Sequence, residues 1–373
     1  MKEQFDKEQF DKQFNEAFDE KSPDFDTNVN IALVGKVSSG KSSLLNAILG
    51  CDRSNPVADV GAHSGVTTRI TAYRLDEKVL IIDCPGLDDV RKENSAQTND
   101  FLKNIDLGLF VVTGSADASQ KANYEDLKRN TRKTLVVLNK RDEWDDLDEA
   151  AYDSVVQQWK STLGVDRIFG TCAKGYDPRA RKDAPMDIRG VDELREEIFA
   201  FLKKHKKDLL LSRHMKNKKS EAVRIIAGAL VAVAAESFIP GSAAYITATQ
   251  IITIVSLNYL YTGSVLSKSS ALSLLPTFIG ESIGTTAFLW AESLLPPTGV
   301  INAVAAGIAV AITFAMLAAV KWVLERGYKL EGGDVLGDAF RKYRSAGNGL
   351  KSGFLEASRN PKSFFKMLAD ILG

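Results

Sequence analysis

The chain has 373 residues, which is enough for two domains. Lysine plus arginine and aspartate plus glutamate each total 48, so the net charge is zero and argues against bulk nucleic-acid binding. The three cysteines, Cys51, Cys84 and Cys172, are far apart and lack metal-ligand spacing, and the first residues are charged, unlike a secretory signal peptide. We therefore expect a reducing, cytoplasmic location.

Residues 1–28 are polar and predict an N-terminal amphipathic helix that ends near Pro23. Its phenylalanines recur at helical spacing and form one stripe, made by Phe5, Phe10, Phe14 and Phe18. Two interpretations stay open. The stripe packs on the chain's own helical domain, or it contacts a membrane surface or a partner helix.

Residues 29–205 alternate short apolar runs with longer helical patterns, and each run is short enough to be a strand. This alternation predicts an α/β domain with a mostly parallel six-stranded sheet and helices on both faces. The more polar run Ile70–Leu75, next to Val79–Ile82, predicts one antiparallel hairpin. Ligands of such sheets bind at the carboxyl ends of the strands.

The motif GKVSSGKS, Gly35–Ser42, follows the first of these strands and precedes a helical pattern. Its backbone N–H groups and the helix N-terminus would surround a phosphate group. We expect Lys41 to contact the β- and γ-phosphates and the Ser42 hydroxyl to bind Mg²⁺. The candidate phosphate-binding residues are Gly35, Lys36, Ser38, Ser39, Gly40, Lys41, Ser42 and Ser43.

The motif DCPG begins with Asp83, which follows the apolar run KVLII and would hold Mg²⁺ through water. The N–H of Gly86 would contact the γ-phosphate, so that loss of this phosphate releases the following loop. The GVTTR segment supplies a threonine that would close on Mg²⁺; we choose Thr68, with Thr67 as the alternative. His63, nearby, is either a solvated loop residue or a catalytic one.

The motif NKRD predicts a guanine site. The carboxylate of Asp142 can accept hydrogen bonds from guanine N1–H and its amino group, which adenine cannot supply. Asn139 belongs to the same motif, and Lys140 would pack along the base or the ribose. In TCAK, Ala173 and Lys174 are also candidate nucleotide-binding residues, and the N–H of Ala173 would meet guanine O6. GTP and GDP are therefore the expected ligands.

The stretches GKVSSGKSSLLNAILG, GVTTR, DCPGLDD and NKRD resemble the translation-factor-related GTPases of the Era, MnmE and dynamin type, over about residues 30–205. The resemblance implies a Ras-like sheet and Mg²⁺-dependent hydrolysis of GTP, with Lys41, Thr68 and Gly86 at the reacting phosphate. One departure is Leu87, which stands where Ras-like enzymes carry a glutamine that orients water.

Dynamin-type enzymes share this departure. They use the P-loop residue that matches Ser38, together with a monovalent cation and a head-to-head dimer. The resemblance therefore implies a catalytic role for Ser38 beside K⁺ or Na⁺, with hydrolysis that is slow alone and stimulated by assembly. The alternative is a serine that only caps or packs the loop.

Residues 206–373 predict a hydrophobic helical domain. A basic connector, Lys203–Lys219, precedes a block, Ser237–Val320, with only three charged residues. Within it, Gly241–Tyr261 and Val300–Val320 are uncharged, each about 31 Å long as a helix and close to the hydrocarbon thickness of a bilayer. We expect a packed domain that touches the membrane, which Glu281 and Glu292 favour over full crossing. Integral hairpins and a soluble bundle remain alternatives.

The stretch SFIPGSAAYITATQIITIVSLNYLY resembles an uncharacterised helical domain found fused to bacterial Era-like GTPases. A GTPase domain flanked by N- and C-terminal helices is also similar to the immunity-related GTPases. Those proteins act on membranes by GTP-dependent assembly, so the resemblance implies membrane lipids and a GTP-dependent homodimer or larger oligomer as partners.

Three functions are weighed. The first, our main expectation, is a cytoplasmic GTPase, peripherally or integrally membrane-associated, that couples GTP-dependent assembly to membrane remodelling or tethering. The second is an Era-like switch acting on ribosome or RNA assembly or on a protein partner, although no GXXG loop among basic strands supports RNA binding. The third is a scaffold that binds nucleotide but hardly hydrolyses it.

Overall fold

The computed structural model describes residues 7–60, 70–93, 96–177, 183–239, 241–280, 299–331, 333–357 and 361–372. The chain divides into two compact units. One is Asp24–Lys216, and the other combines Met1–Pro23 with Asn217–Gly373.

These divisions differ from the predicted ones, after residues 28 and 205, because flanking residues are tied to the first unit. The Asp24 N–H donates to the Lys206 carbonyl at 2.9 Å, and the Lys207 ammonium donates to the Asn28 carbonyl at 2.7 Å. The Lys216 N–H donates to the Leu49 carbonyl at 3.0 Å. Backbone hydrogen bonds thus extend this unit at both ends.

The strands and the helices are numbered in chain order. The strands are β1 Val29–Val34, β2 Thr71–Arg74, β3 Val79–Cys84, β4 Ile105–Val112, β5 Thr131–Leu138, β6 Phe169–Gly170, β7 Cys172–Lys174 and β8 Asp187–Arg189. The helices are α1 Lys7–Lys21, α2 Lys41–Leu49, α3 Leu87–Glu93, α4 Ala96–Lys103, α5 Lys121–Asn130, α6 Glu149–Leu163, α7 Val191–Lys204, α8 Asp208–Ser212, α9 Lys218–Glu236, α10 Ser242–Thr262, α11 Lys268–Leu272, α12 Leu275–Gly280, α13 Gly299–Glu325, α14 Gly333–Ala357 and α15 Pro361–Leu372.

Six strands of the described chain form one sheet in the order β2-β3-β1-β4-β5-β6. Neighbouring strands are parallel except β2, which is antiparallel to β3, so the Ras-like sheet and its hairpin are confirmed. Every residue of β1, β3 and β4 is buried, as expected for strands covered on both faces. Because Val34 pairs with both Cys84 and Phe110, the loops after β1, β3 and β4 emerge at one edge of the sheet.

The last predicted strand is shorter than expected. The sequence predicted a strand over Ile168–Thr171, but β6 covers only Phe169–Gly170, and the chain then enters a separate hairpin. In that hairpin β7 pairs antiparallel with β8, and Ala173 lies opposite Ile188. The sequence analysis did not predict this hairpin, because both strands have only three residues.

In the helical unit, α1 packs against α10 with Phe14 and Ala17 buried. The Lys268 ammonium lies 4.9 Å from the ring centroid of Phe14 and 4.5 Å from that of Phe18. The part of the phenylalanine stripe that the structure describes therefore packs on the chain's own helical unit, the first of the two interpretations. Phe5 lies outside the described residues.

Two helices among the described residues are long and apolar enough to cross a membrane, Ser242–Thr262 and Ala306–Glu325. In the most apolar 18-residue stretch of each helix, 83% and 78% of the residues are buried, respectively. Such burial is also typical of core helices in a soluble bundle. The Gln250 amide donates to Thr313 Oγ1 at 2.8 Å, and Thr249 Oγ1 donates to Glu236 at 2.8 Å. The side chains of Gln250 and Thr249 in α10 are thus satisfied inside the unit. Glu281 and Glu292 lie outside the described residues.

Candidate nucleotide-binding site

The loop between β1 and α2 has the backbone that a phosphate cradle requires. A Cβ on Gly35 would lie 2.1 Å from the Val111 carbonyl oxygen, so only glycine fits there. Gly40 precedes α2 with φ of 83°, and Ser38 has φ of 67°, a left-handed conformation that is uncommon for a residue with a side chain. The loop therefore turns tightly into the N-terminus of α2, which carries a partial positive charge.

Lys41 is buried at the base of this loop, with 2% of its side chain exposed. Its ammonium donates to the carbonyls of Gly35 at 2.8 Å and Lys36 at 3.1 Å, and lies 3.5 Å from Asp83 Oδ1. The loop carbonyls thus hold the charge of Lys41 in place beside the acidic end of β3.

Ser42 and Asp83 meet across the same space. Ser42 Oγ donates to Asp83 Oδ2 at 2.9 Å, whereas buried Asp83 Oδ1 makes no hydrogen bond within the described structure. Burial raises the pKa of the Asp83 carboxyl, and the opposing charge of Lys41 limits the rise. A hydroxyl and a carboxylate with an unused oxygen are ligands that Mg²⁺ prefers, so these residues fit the ion. Thr67, Thr68 and His63 lie outside the described residues.

Gly86 and Leu87 lie just after β3, and Leu87 is the first residue of α3. A Cβ on Gly86 would lie 3.3 Å from Asn123 Oδ1, a tight approach. Leu87 is 2% exposed and belongs to the hydrophobic core that includes Val90 and Phe101. Its side chain thus serves the core, which explains an apolar residue where a glutamine could orient water.

We expect Leu87→Gln to lower the free energy of unfolding by about 1–3 kcal/mol, because the amide would be buried without a partner. GTP turnover should not rise. Urea unfolding and phosphate release by the variant and by wild type measure both effects. A faster, stably folded variant would show that this position can reach the reacting water.

The side-chain amide of Asn139 connects two loops by hydrogen bonds. Its amide nitrogen donates to the Ser39 carbonyl at 3.0 Å, and its amide oxygen accepts from Thr171 Oγ1 at 3.0 Å. It therefore connects the phosphate loop to the segment that leads into β7. The sequence assigned Asn139 to the nucleotide, and the structure adds this supporting role.

Asp142 lies at the far end of the site. Lys174 Nζ is 3.0 Å from Asp142 Oδ2, and Cys172 Sγ donates to Asp142 Oδ1 at 3.3 Å. Partial burial opposes ionisation of Asp142, but these two hydrogen bonds outweigh it and lower the pKa of the carboxyl. Burial, reinforced by the nearby carboxylate, raises the pKa of Cys172 to about 11, so its thiol stays a donor.

Lys140 and Ala173 complete this end of the site. Lys140 has φ of 63°, and its ammonium lies 3.3 Å from Glu143. Ala173 is buried in β7.

One cavity of about 450 Å³ joins both ends of the site. Eleven of the predicted residues line it: Ser38, Gly40, Lys41, Ser42, Ser43, Asp83, Asn139, Lys140, Asp142, Ala173 and Lys174. Gly35, Lys36, Ser39 and Gly86 do not. Lys36 instead pairs with Asp117, and this hydrogen bond lowers the pKa of Asp117 to about 2.

The cavity also has lining residues that the sequence analysis missed, among them Asp59, Thr71, Tyr73 and Tyr176. Thr71 lies opposite Asp83 in the β2–β3 ladder, and Tyr73 shares its face of β2. The predicted hairpin could have indicated these two, because alternate residues of β2 face Asp83.

Residues 30–140 match a protein-family model described as "50S ribosome-binding GTPase". The chain carries a P-loop GTPase domain. The matched segment contains the loop of Lys41, the acidic end of β3 and the first residues of NKRD.

The chain is similar to parts of longer curated proteins. It is 25% identical over 218 residues to GTPase Der of Solidesulfovibrio magneticus, covering 54% of this chain and 49% of that protein. It is 31% identical over 165 residues to the Fe(2+) transporter FeoB of Helicobacter pylori, covering 42% of this chain and 24% of that protein. The chain thus spans about half or less of the length of these relatives.

A solved structure of Era in complex with MgGDPNP and a segment of 16S ribosomal RNA is also similar, with 22% identity and a TM-score of 0.30. This match covers 47% of this chain and 57% of that chain.

Proposed function

We propose that the protein binds GTP and GDP together with Mg²⁺ and hydrolyses GTP to GDP and phosphate. The observation that carries this proposal is one cavity with Lys41, Ser42 and Asp83 at one end and Asp142 at the other. The buried Lys41 ammonium, with Ser42 and Asp83 as Mg²⁺ ligands, suits a polyphosphate. The Asp142 carboxylate, whose pKa is lowered, suits the hydrogen-bond donors of guanine.

The proposed roles follow from position. Lys41 would stabilise negative charge on the β- and γ-phosphates, and Ser42 with Asp83 would hold Mg²⁺, which would supply positive charge to the same phosphates. Water attacks the γ-phosphorus, the bond from that phosphorus to the bridging oxygen breaks, and the electron pair stays on GDP. The proton lost by the water ends on the released phosphate. Gly86 and Thr68 are assigned to the γ-phosphate side on sequence grounds.

Hydrolysis needs a group that replaces the missing glutamine, since Leu87 is in the core. We assign this role to Ser38 with a monovalent cation, K⁺ or Na⁺, because Ser38 is exposed and lines the cavity beside Lys41. Turnover by the isolated protein is then slow, and a GTP-dependent dimer or larger assembly raises it. A faster rate in K⁺ than in a buffer without K⁺ or Na⁺, lost in Ser38→Ala, supports this assignment.

The partner on which a GTPase cycle acts is a separate question. The description of the matched family as ribosome-binding supports a switch that acts on ribosome or RNA assembly. In the structure, membrane remodelling by a peripherally bound protein is supported only weakly, by two apolar helices of the described residues, and most residues of their apolar stretches are buried. The ribosomal role is therefore the better supported of the two, although the zero net charge gives it no electrostatic help.

One experiment tests the activity and the partner together. Purified protein is loaded with GDP or a non-hydrolysable GTP analogue, then sedimented with ribosomal subunits or with anionic liposomes, while phosphate release is measured in parallel. GTP-dependent sedimentation with subunits and stimulated release support the ribosomal role. The same behaviour with liposomes supports the membrane role, and no GTP binding or release at all overturns the proposal.

A further inference from the structure

The carboxylate proposed to read guanine is already engaged within the chain. Lys174 Nζ lies 3.0 Å from Asp142 Oδ2, and Cys172 Sγ donates to Asp142 Oδ1 at 3.3 Å. Both oxygens of Asp142 therefore have a donor from the chain itself.

The two donors differ in mobility. Cys172 is fully buried in β7, so its thiol keeps Asp142 oriented whether or not a ligand is present. The Lys174 side chain is 66% exposed, and its ammonium sits at the end of a flexible stem. The ammonium can therefore move away from Asp142 at small steric cost. Asp187 lies directly opposite Lys174 in the β7–β8 ladder, which leaves the ammonium a charged neighbour after it moves.

Guanine presents N1–H and an amino group to a carboxylate, the same donor chemistry that the Lys174 ammonium supplies. We propose that Lys174 is an internal competitor for guanine at Asp142 and so limits the affinity and association rate of guanine nucleotides. This inference rests on the proposed function, because it concerns the site assigned to the base.

The competition predicts that removing the Lys174 charge strengthens nucleotide binding, which is opposite to the effect expected at an ordinary binding-site residue. Removing a positive charge from a site for a polyanion normally weakens binding. Here, removal of the ammonium frees Asp142 Oδ2, so guanine no longer has to displace an ion pair. The gain should be about two- to five-fold, the range that a partly exposed ion pair supplies.

The variant Lys174→Met keeps the length of the stem and removes the charge. Association and dissociation rates of a fluorescent GDP are measured by stopped flow at 50 and 300 mM salt, with affinities from calorimetry. We expect the GDP affinity of the variant to rise about two- to five-fold, mainly through a faster association rate. In wild type, salt should speed association because it screens the Lys174–Asp142 ion pair, and the variant should lose this effect.

Lys133→Met is the matched control, because Lys133 is a half-exposed lysine 3.4 Å from Glu197, in the same unit but outside the cavity. It should behave as wild type. Unchanged or weaker GDP binding by Lys174→Met, with wild type binding GDP normally, overturns the competition and leaves the proposed function intact. If wild type binds no guanine nucleotide, the proposed function itself fails.

Discussion

Asp142→Asn is expected to weaken GDP binding by about 10²–10³-fold. The asparagine loses one charge-assisted hydrogen bond and turns an N–H group toward an N–H group of guanine, and hydrogen bonds to charged groups are worth about 1.5–3 kcal/mol each. Xanthine carries a carbonyl in place of the guanine amino group, so its diphosphate should bind the variant more tightly than GDP does. Calorimetry with both diphosphates measures the reversal.

The matched control for this change is Asp145→Asn. Asp145 pairs with Arg189 in the same unit and does not line the cavity, so GDP affinity should stay at the wild-type value. Equal GDP affinity of Asp142→Asn and wild type would remove Asp142 from base recognition, and the guanine preference would need another explanation.

Lys41→Met should lower the rate of GTP hydrolysis by at least about 10²-fold, the effect of deleting one preorganised group that stabilises transition-state charge. It should also destabilise the fold by about 3 kcal/mol, because Asp83 is 2% exposed and would lose its buried counter-charge. Single-turnover hydrolysis and urea unfolding measure the two losses separately.

The double variant Lys41→Met with Asp83→Asn separates catalysis from folding. Removing the Asp83 charge should restore much of the stability, while hydrolysis stays low because both phosphate-site groups are missing. If hydrolysis returns together with stability, Lys41 acts only through the fold, and the catalytic role assigned to it is wrong.

The pH dependence of the single Lys41 variant has a definite sign. Burial already raises the pKa of Asp83, and loss of Lys41 removes the charge that limits this rise. A carboxyl whose pKa is higher in the folded than in the unfolded state takes up a proton on folding. The variant should therefore be more stable near pH 5 than near pH 7, and Asp83→Asn should abolish the difference.

Much of the site could be predicted because its motifs are local. Lys41 and Ser42 come after the loop that follows apolar β1, and Asp83 lies near the end of apolar β3. Parallel strands place their carboxyl ends at one edge of a sheet. Their meeting therefore follows from the order of the strands, although their distances do not. Most of the residues predicted to bind the nucleotide line the cavity, whereas the Lys36 side chain pairs with Asp117.

Contacts between distant short elements could not be predicted. The β7–β8 hairpin consists of two strands of three residues, too short to show a periodic pattern. Without this hairpin the sequence gives no reason to place the Lys174 ammonium on Asp142, because the two residues belong to different motifs. The extension of the first unit to Lys216 likewise depends on hydrogen bonds to residues far away in the chain.

The parallel sheet, the phosphate-loop motif and the motif predicted to bind guanine could be recognised from the sequence by itself, since strand patterns and contiguous motifs carry that information. Only the tertiary structure decided that Leu87 belongs to the core, that Gln250 and Thr249 of α10 find hydrogen-bond partners within the helical unit, and that the Lys174 ammonium pairs with Asp142. Each of these depends on which side chains meet across the fold, and such contacts are fixed by packing rather than by neighbours in the chain.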